Sequence, residues 1–455
     1  MTSSANEMDT SLGERFPRTP EQMEQLRAKG IAAAKRLLSF IDASPTPYHA
    51  TENVAQQLRE DGFELLSERD AWTLEPGDRR YVVRSAGTLI AFVIGARSPA
   101  EAGFRIIGAH TDSPNLRVKP LPSLTRKGYQ QLGVEVYGGA LLSTWLDRDL
   151  SLAGRVVYRT SDGELDTLLV DLRRPIGRVA SLAVHLDRTV NTEGLVLDKQ
   201  KHMVPLLGLG KDKIDLAQEL ADQLELSPEA ITGYDLCFYD TQKGSLGGLR
   251  DELVFSARID DLANCHAAIE ALCGTPDKLD ATAVVALYDH EECGSRSAAG
   301  AASSVLRDVL GRVALAYPEG QVQAFPRAMA TSVLVSADLA HAVHPNYADR
   351  HDDNHVPAIN RGLVIKTNAN QAYATSGPTA ALFEKLCHDV GYEPQHFVTR
   401  SDLPCGSTIG PITAAQLGIQ TVDVGAAQLS MHSCREVAGS LDVYLTQQTF
   451  QQFFR

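Results

Sequence analysis

Basic charge is scarce in this chain of 455 residues: 43 Lys and Arg face 57 Asp and Glu, a formal net charge of -14. A sequence-independent grip on nucleic acid needs a basic face that displaces counterions. No Lys/Arg-rich block offsets the deficit, so no nucleic-acid partner is expected. Long apolar runs are missing as well, and no stretch approaches the ~20 residues of a membrane-spanning helix. The start, MTSSANEMDTSLGERF, has no basic segment followed by an apolar one, which argues against export and against a membrane partner. Cysteine is sparse and odd in number: Cys237, Cys265, Cys273, Cys293, Cys387, Cys405 and Cys434, with no CxxC pair. Neither a disulfide framework nor a thiolate zinc knuckle fits that pattern. The seven read as reduced thiols of a cytoplasmic protein.

What the chain does have is 44% apolar content, enough to bury a large core over two domains. Behind a polar tail, PEQMEQLRAKGIAAAKRLLSFIDAS repeats apolar residues at helical spacing and stops before SPTP. ATENVAQQLRED predicts a second helix. From about residue 80 short β-branched runs take over, in RYVVRSAGTLIAFVIG, GFRIIGAHTDS, VEVYGGALL to GRVVYR, and DTLLVDL. A helical pattern returns at KDKIDLAQELADQLEL. Beyond about residue 253 strand and helix alternate, through LVFSARIDD, ANCHAAIEALC, AVVALYDHEE, SSVLRDVLGRV and SVLVSAD, which predicts a layered α/β fold. The simplest partition is one α/β domain built from both chain ends, 1–116 and 253–455, interrupted by a β-rich insertion over 117–252.

In open α/β sheets the functional crevice lies beyond the carboxyl ends of the strands. Four predicted strands end there on ionisable residues. FRIIGA runs into His110, Thr111 and Asp112; LVFSARI into Asp260 and Asp261; AVVALY into Asp289 to Glu292; SVLVSA into Asp338, with His341 and His344 close behind. His432 follows the strand-like QTVDVGA. A single acidic pair after a strand is commonly a solvated turn or a helix cap, and a single histidine is commonly core or surface. Independent solvated loops, however, have no reason to place such residues at every carboxyl end. Carboxylates and imidazoles without sulfur suit one or two divalent ions such as zinc, manganese or cobalt. Glu291 and Glu292 cannot share a face of a regular strand, so they belong on the loop toward Gly294. There, one carboxylate suits a metal and the other an attacking water.

The stretches GAHTDSPNLRVKP, YGGALLSTWLDRDLSLAGRV, FSARIDDLANC, DHEECGSRSAAGA, SADLAHAVHPNY, VIKTNANQAYAT, PCGSTIGP and MHSCREVAG resemble the aspartyl aminopeptidase family of dinuclear zinc metallopeptidases, in the family's order. The resemblance implies a layered α/β zinc-peptidase catalytic domain with the insertion serving as a dimerisation domain. It implies that Asp260 bridges two metal ions, with His110 and Asp338 completing one and Glu292 and His432 the other. Glu291 becomes the general base, and Asp112 orients the His110 imidazole through its other nitrogen. His185, in SLAVHLDR, reaches a neighbouring subunit's site. His341 and Lys366 join the substrate pocket, where the Lys366 charge suits an Asp or Glu side chain. The position after the bridging Asp, often Asn in the family, is Asp261 here; it either adds negative charge beside the metals or points into solvent.

The activity implied is metal-dependent removal of N-terminal residues, acidic ones, from peptides. Its cofactors are two divalent ions per subunit, zinc with manganese or cobalt as alternatives, and its assembly is a homo-oligomer, a dodecamer built from dimers. Two other readings stay open: an aminopeptidase preferring neutral N-terminal residues, and a catalytically silent oligomeric scaffold. Against the scaffold stands the presence of every ligand and of the base.

Overall fold

The structure is a computed structural model that describes residues 19–317 and 322–455; the polar tail before Thr19 lies outside the described residues. Helices Pro20–Ala43 and Pro47–Glu60 come first, the former started by a capping box in which Thr19 and Gln22 exchange hydrogen bonds. Strands β1 (Glu64–Leu65), β2 (Arg79–Arg84), β3 (Thr88–Val93) and β4 (Phe104–His110) follow. The next six, β5 (Asn115–Arg126), β6 (Tyr129–Tyr137), β7 (Leu150–Arg159), β8 (Leu165–Asp171), β9 (Leu206–Leu209) and β10 (Ile231–Asp240), form a separate sheet in the order β8-β7-β10-β5-β6-β9. Short strands β11 (Ser245–Gly247) and β12 (Leu253–Ser256) come next. After them run β13 (Thr282–Tyr288), β14 (Val333–Ala337), β15 (Ala340–His341), β16 (Val364–Thr367), β17 (Gln395–Val398), β18 (Gln420–Gly425), β19 (Ala427–Leu429) and β20 (Glu436–Gly439).

The nine-stranded central sheet has the order β1-β2-β3-β13-β4-β14-β18-β16-β17. Its middle is parallel: β13 pairs with β4, β4 with β14, and β14 with β18. Such strands are covered on both faces and read as unbroken apolar runs, and β13 and β14 are buried at every position. Alternation then divides their side chains between two cores. Ala283, Val285 and Leu287 face the side of helices Pro20–Ala43, Ile259–Cys273 and Ser440–Phe454. Val284, Ala286 and Tyr288 face helices Val305–Leu315 and Ala324–Thr331. Truncating one of these, as in Leu287→Ala, costs about 2–5 kcal/mol.

Register fixes the functional edge. Tyr288 pairs with His110 and Ser336 with Gly108, so β13, β4 and β14 release the chain at the same level. The six-stranded sheet is antiparallel throughout, with its own core around Leu116, Val134, Leu152, Leu236 and Phe238. A third sheet, β11-β12-β20-β19-β15, lies apart from the other two. The expectation that LVFSARI is a strand of the layered domain's main sheet fails here: β12 stops at Ser256 and pairs with β11 and β20. Arg258 then turns into the left-handed region, φ 56°, and helix Ile259–Cys273 begins irregularly at Asp260 and Asp261.

Candidate active site

His110 is the last residue of β4. Beyond β13 the chain turns at His290, φ 64°, which lifts Glu291 and Glu292 off the strand onto one loop, as their adjacency requires. Asp338 follows β14 directly. Asp260 arrives from the irregular start of its helix, and His432 from the turn after β19. Asp260 stands between the imidazoles: its Oδ1 is 3.6 Å from His110 Nε2 and its Oδ2 3.4 Å from His432 Nε2. Glu292 Oε1 is 3.2 Å from His432 Nε2. Among the described residues, three overlapping groups have ligand atoms within 4.8 Å of one another: His110 with Glu291 and Glu292, His110 with Asp260 and Asp261, and Asp260 with Glu292 and His432. Asp338 joins none of these groups; its Oδ1 lies 3.6 Å from Lys366 Nζ.

Both histidines are aimed by backbone carbonyls. His110 Nδ1 is 2.9 Å from the Asp112 carbonyl oxygen, and His432 Nδ1 is 3.2 Å from that of Gly139. Each Nδ1–H donates, so Nε2 is the nitrogen that each ring turns toward Asp260 and could offer to a metal ion. The Asp112 carboxylate is farther from His110 Nδ1, at 3.5 Å, and is occupied elsewhere. It accepts from the amides of Glu291 (3.0 Å) and Glu292 (3.1 Å) and from the Tyr137 hydroxyl at 2.6 Å. The imidazole is thus oriented by the backbone of Asp112, while its side chain holds the loop carrying both glutamates.

The electrostatics show how costly this crowding is. Burial pushes the Glu291 carboxyl up to about 7, with Asp338, Asp112 and Asp260 adding to the shift and His110 opposing it. Burial and then Asp260 raise Glu292 well above the usual carboxylate range. Burial works against a charged His432, yet Asp260 and Glu292 push its imidazole up to about 9. Buried carboxylates that repel one another and draw protons onto their neighbours make a site that cations would relieve.

A family model described as Aminopeptidase I zinc metalloprotease (M18) matches residues 40–454. The chain belongs to the M18 family. A probable M18 family aminopeptidase 2 of Azotobacter vinelandii is 50% identical over 413 residues, 90% of this chain and 94% of its own length. The solved complex of Ape4 and Nbr1 superposes with a TM-score of 0.90 at 41% identity, covering 94% of this chain and 86% of the matched one. The S. cerevisiae mApe1 dodecamer matches at TM-score 0.82 and 32% identity, covering 92% and 96%.

The donor set fits the zinc of this M18 family. Asp260 Oδ1 and Glu292 Oε1 are buried and accept no hydrogen bond, and nitrogen with carboxylate oxygen is a zinc ligand set. Asp261 does not point into solvent. It is fully buried, its Oδ2 accepting from the His110 amide at 3.2 Å and its Oδ1 from Asn264 Nδ2 at 2.6 Å. Lys366 is also buried, and donates to the carbonyls of Asp338 (2.8 Å) and Leu339 (3.2 Å). His341 packs edge-on against Phe397 and feels the charges of Asp260 and His432. His185 is not brought to the site within one chain: it sits exposed on a turn of the 117–252 segment.

Sequence reasoning passed over Tyr137, Gly138, Gly139 and Glu436. A Cβ on Gly138 would come within 3.2 Å of Glu292 Cβ, and one on Gly139 within 3.1 Å of His432 Nδ1. The YGG triplet therefore runs against the site, at the end of β6. Its paired glycines were the signal, marking a close backbone approach.

Proposed function

We propose that this M18 enzyme hydrolyses the first peptide bond of short peptides using two divalent ions held by His110, Asp260, Glu292, Asp338 and His432. The observation that carries the reading is the convergence of His110, Glu292 and His432 on Asp260, with Glu291 left over beside them. When bound, such ions polarise a scissile carbonyl and supply a nucleophilic water at neutral pH. The chain's own residues do the rest. Glu291, whose carboxyl is pushed up to about 7, accepts a proton from the attacking water and passes it to the leaving amine, the work of a base poised near the operating pH. Asp112 fixes its backbone so that the carboxylate meets the water in one place. His110 and His432 are locked in the tautomer that ligates through Nε2.

Acidic N-terminal residues are the preferred substrates in this reading. Lys366 supports it as a buried positive charge: two of its three donors serve carbonyls and its Nζ also lies 3.6 Å from Asp338 Oδ1, so it acts on a substrate carboxylate through its charge. An N-terminal Leu would draw nothing from that charge, which gives discrimination by charge. The mApe1 dodecamer supports a closed oligomer in which His185 serves a neighbouring pocket, and exposed Leu182, Val184 and Leu186 beside it give that segment an apolar surface to bury. Seven unpaired cysteines support a cytoplasmic location, and no helix among the described residues is long and apolar enough to cross a membrane. The test is the hydrolysis of peptides with N-terminal Asp, Glu, Leu or Lys by zinc-, manganese- or cobalt-reconstituted protein. Faster turnover of Asp and Glu peptides, lost on chelation, is expected. Equal rates on Leu peptides would favour the neutral preference, and full activity without metal would reject the two-ion site.

A further inference from the structure

Two backbone amides in the site belong to no helix or strand ladder. Asp260 lies where helix Ile259–Cys273 has not yet become regular, with φ -80° and ψ 108°, so its N–H points away from the helix. His432 lies in a turn with φ 66°, a left-handed conformation that side chains other than glycine rarely adopt. Both are buried enough to need acceptors. One side chain supplies both: Glu436 Oε2 accepts from Asp260 N at 3.0 Å, and Oε1 from His432 N at 2.8 Å. Glu436 is 2% exposed, and β20, which it opens, is tied to the segment leading to Asp260 by the pairing of Glu436 with Ser256. The carboxylate is therefore a rigid two-point bridge between segments about 170 residues apart in sequence.

We propose that Glu436 is a positioning residue for metal binding: by fixing the amides of Asp260 and His432 it fixes the separation of the two side chains that meet at 3.4 Å. It touches neither substrate nor ion. Its role rests on the two-ion reading, and it differs from that of a mere negative charge near cations. Glu436→Asp keeps the charge but shortens the reach by one methylene, so one amide loses its acceptor. Glu436→Gln keeps the length but presents an NH2 group to one of the two N–H donors.

The test is zinc(II) titration of metal-free full-length protein against a chromophoric chelator, with zinc stoichiometry after dialysis and thermal melting of the metal-free form. Both variants are expected to hold one zinc with an affinity reduced by about 10- to 100-fold, the usual effect of losing a group that orients a ligand, while the metal-free forms still melt cooperatively. Wild-type affinity for both ions in Glu436→Asp would overturn the proposal, since charge alone would then suffice. Should that variant not fold, undiminished stoichiometry and affinity in Glu436→Gln would reject it equally. Fewer than two zinc ions in the wild type would instead overturn the two-ion reading.

Discussion

The parallel strands at the centre of the main sheet and the six-stranded inserted sheet reach the same site in different ways. From β4, β13 and β14 the chain delivers whole side chains, His110, the Glu291–Glu292 pair and Asp338, just where apolar runs end. The inserted sheet contributes the Tyr137 hydroxyl and the Gly139 carbonyl, and places His185 on an exposed turn. In the proposed reaction the first region provides groups that do chemistry; the second provides groups that hold those in place. The two differ in how replaceable each contact is, and that difference can be measured.

The largest effect is expected at the strand edge. Glu291→Gln removes the proton acceptor and leaves the Glu291 amide on Asp112, so kcat should fall by about 100-fold or more with zinc content unchanged. Glu292→Gln should lose zinc instead, because Glu292 Oε1 sits beside His432. Exchanged phenotypes in activity assays paired with elemental analysis would reverse the assignment of base and ligand.

For the inserted sheet, the sharpest question is whether His185 works in trans. His185→Ala should lose most activity although no hydrogen bond to the site within the chain is broken. Mixing it with Glu291→Gln under subunit exchange should restore part of the rate, because one pocket of a mixed dimer then pairs intact Glu291 with the partner subunit's His185. No recovery despite verified exchange, or full activity in a stable monomer, would separate the inserted sheet from the chemistry.

Tyr137→Phe tests the link seen within one chain. The hydroxyl is one of three donors to the buried Asp112 carboxylate, and Arg117 lies 4.3 Å from the centre of its ring. Losing a hydrogen bond to a charged group weakens the hold on the glutamate loop, for an expected fall in kcat of about 10-fold with KM little changed. An unchanged kcat would make the contact a matter of sheet packing alone.

Much of this was legible because period-2 burial makes a covered strand a visible apolar run and its end a visible break. His110, Glu291, Glu292 and Asp338 were picked out in that way; the fold gathers the first three into one cluster and sets the Asp338 carboxylate beside Lys366. Asp260 was picked out for the wrong local reason, since β12 belongs to the third sheet and a helix start carries the residue. Asp112 had the right neighbour, and the fold adds which atom meets His110: its carbonyl oxygen at 2.9 Å is nearer than its carboxylate at 3.5 Å. Groups such as the Gly139 carbonyl have no signature in residue identity, and Glu436 bridges two segments that only the folded chain brings together.

The smallest effect is expected at Asp261, which belongs to the strand-edge region yet behaves as a support. One reading makes it a ligand, since it lies within 4.8 Å of His110 and Asp260; the other makes it a buried hydrogen-bond partner. Its two oxygens are already used by the His110 amide and by Asn264 Nδ2, and Asn264 Oδ1 is buried with no donor of its own. Asp261→Asn can keep its oxygen on the His110 amide and turn its NH2 toward Asn264. A rotated Asn264 amide then accepts from it, so the contact between the two side chains is kept. The expected change in kcat/KM is therefore within about threefold, below one tenfold step of ~1.4 kcal/mol, with zinc stoichiometry unchanged. A loss of zinc, or a rate loss comparable to that of Glu292→Gln, would show instead that Asp261 ligates an ion.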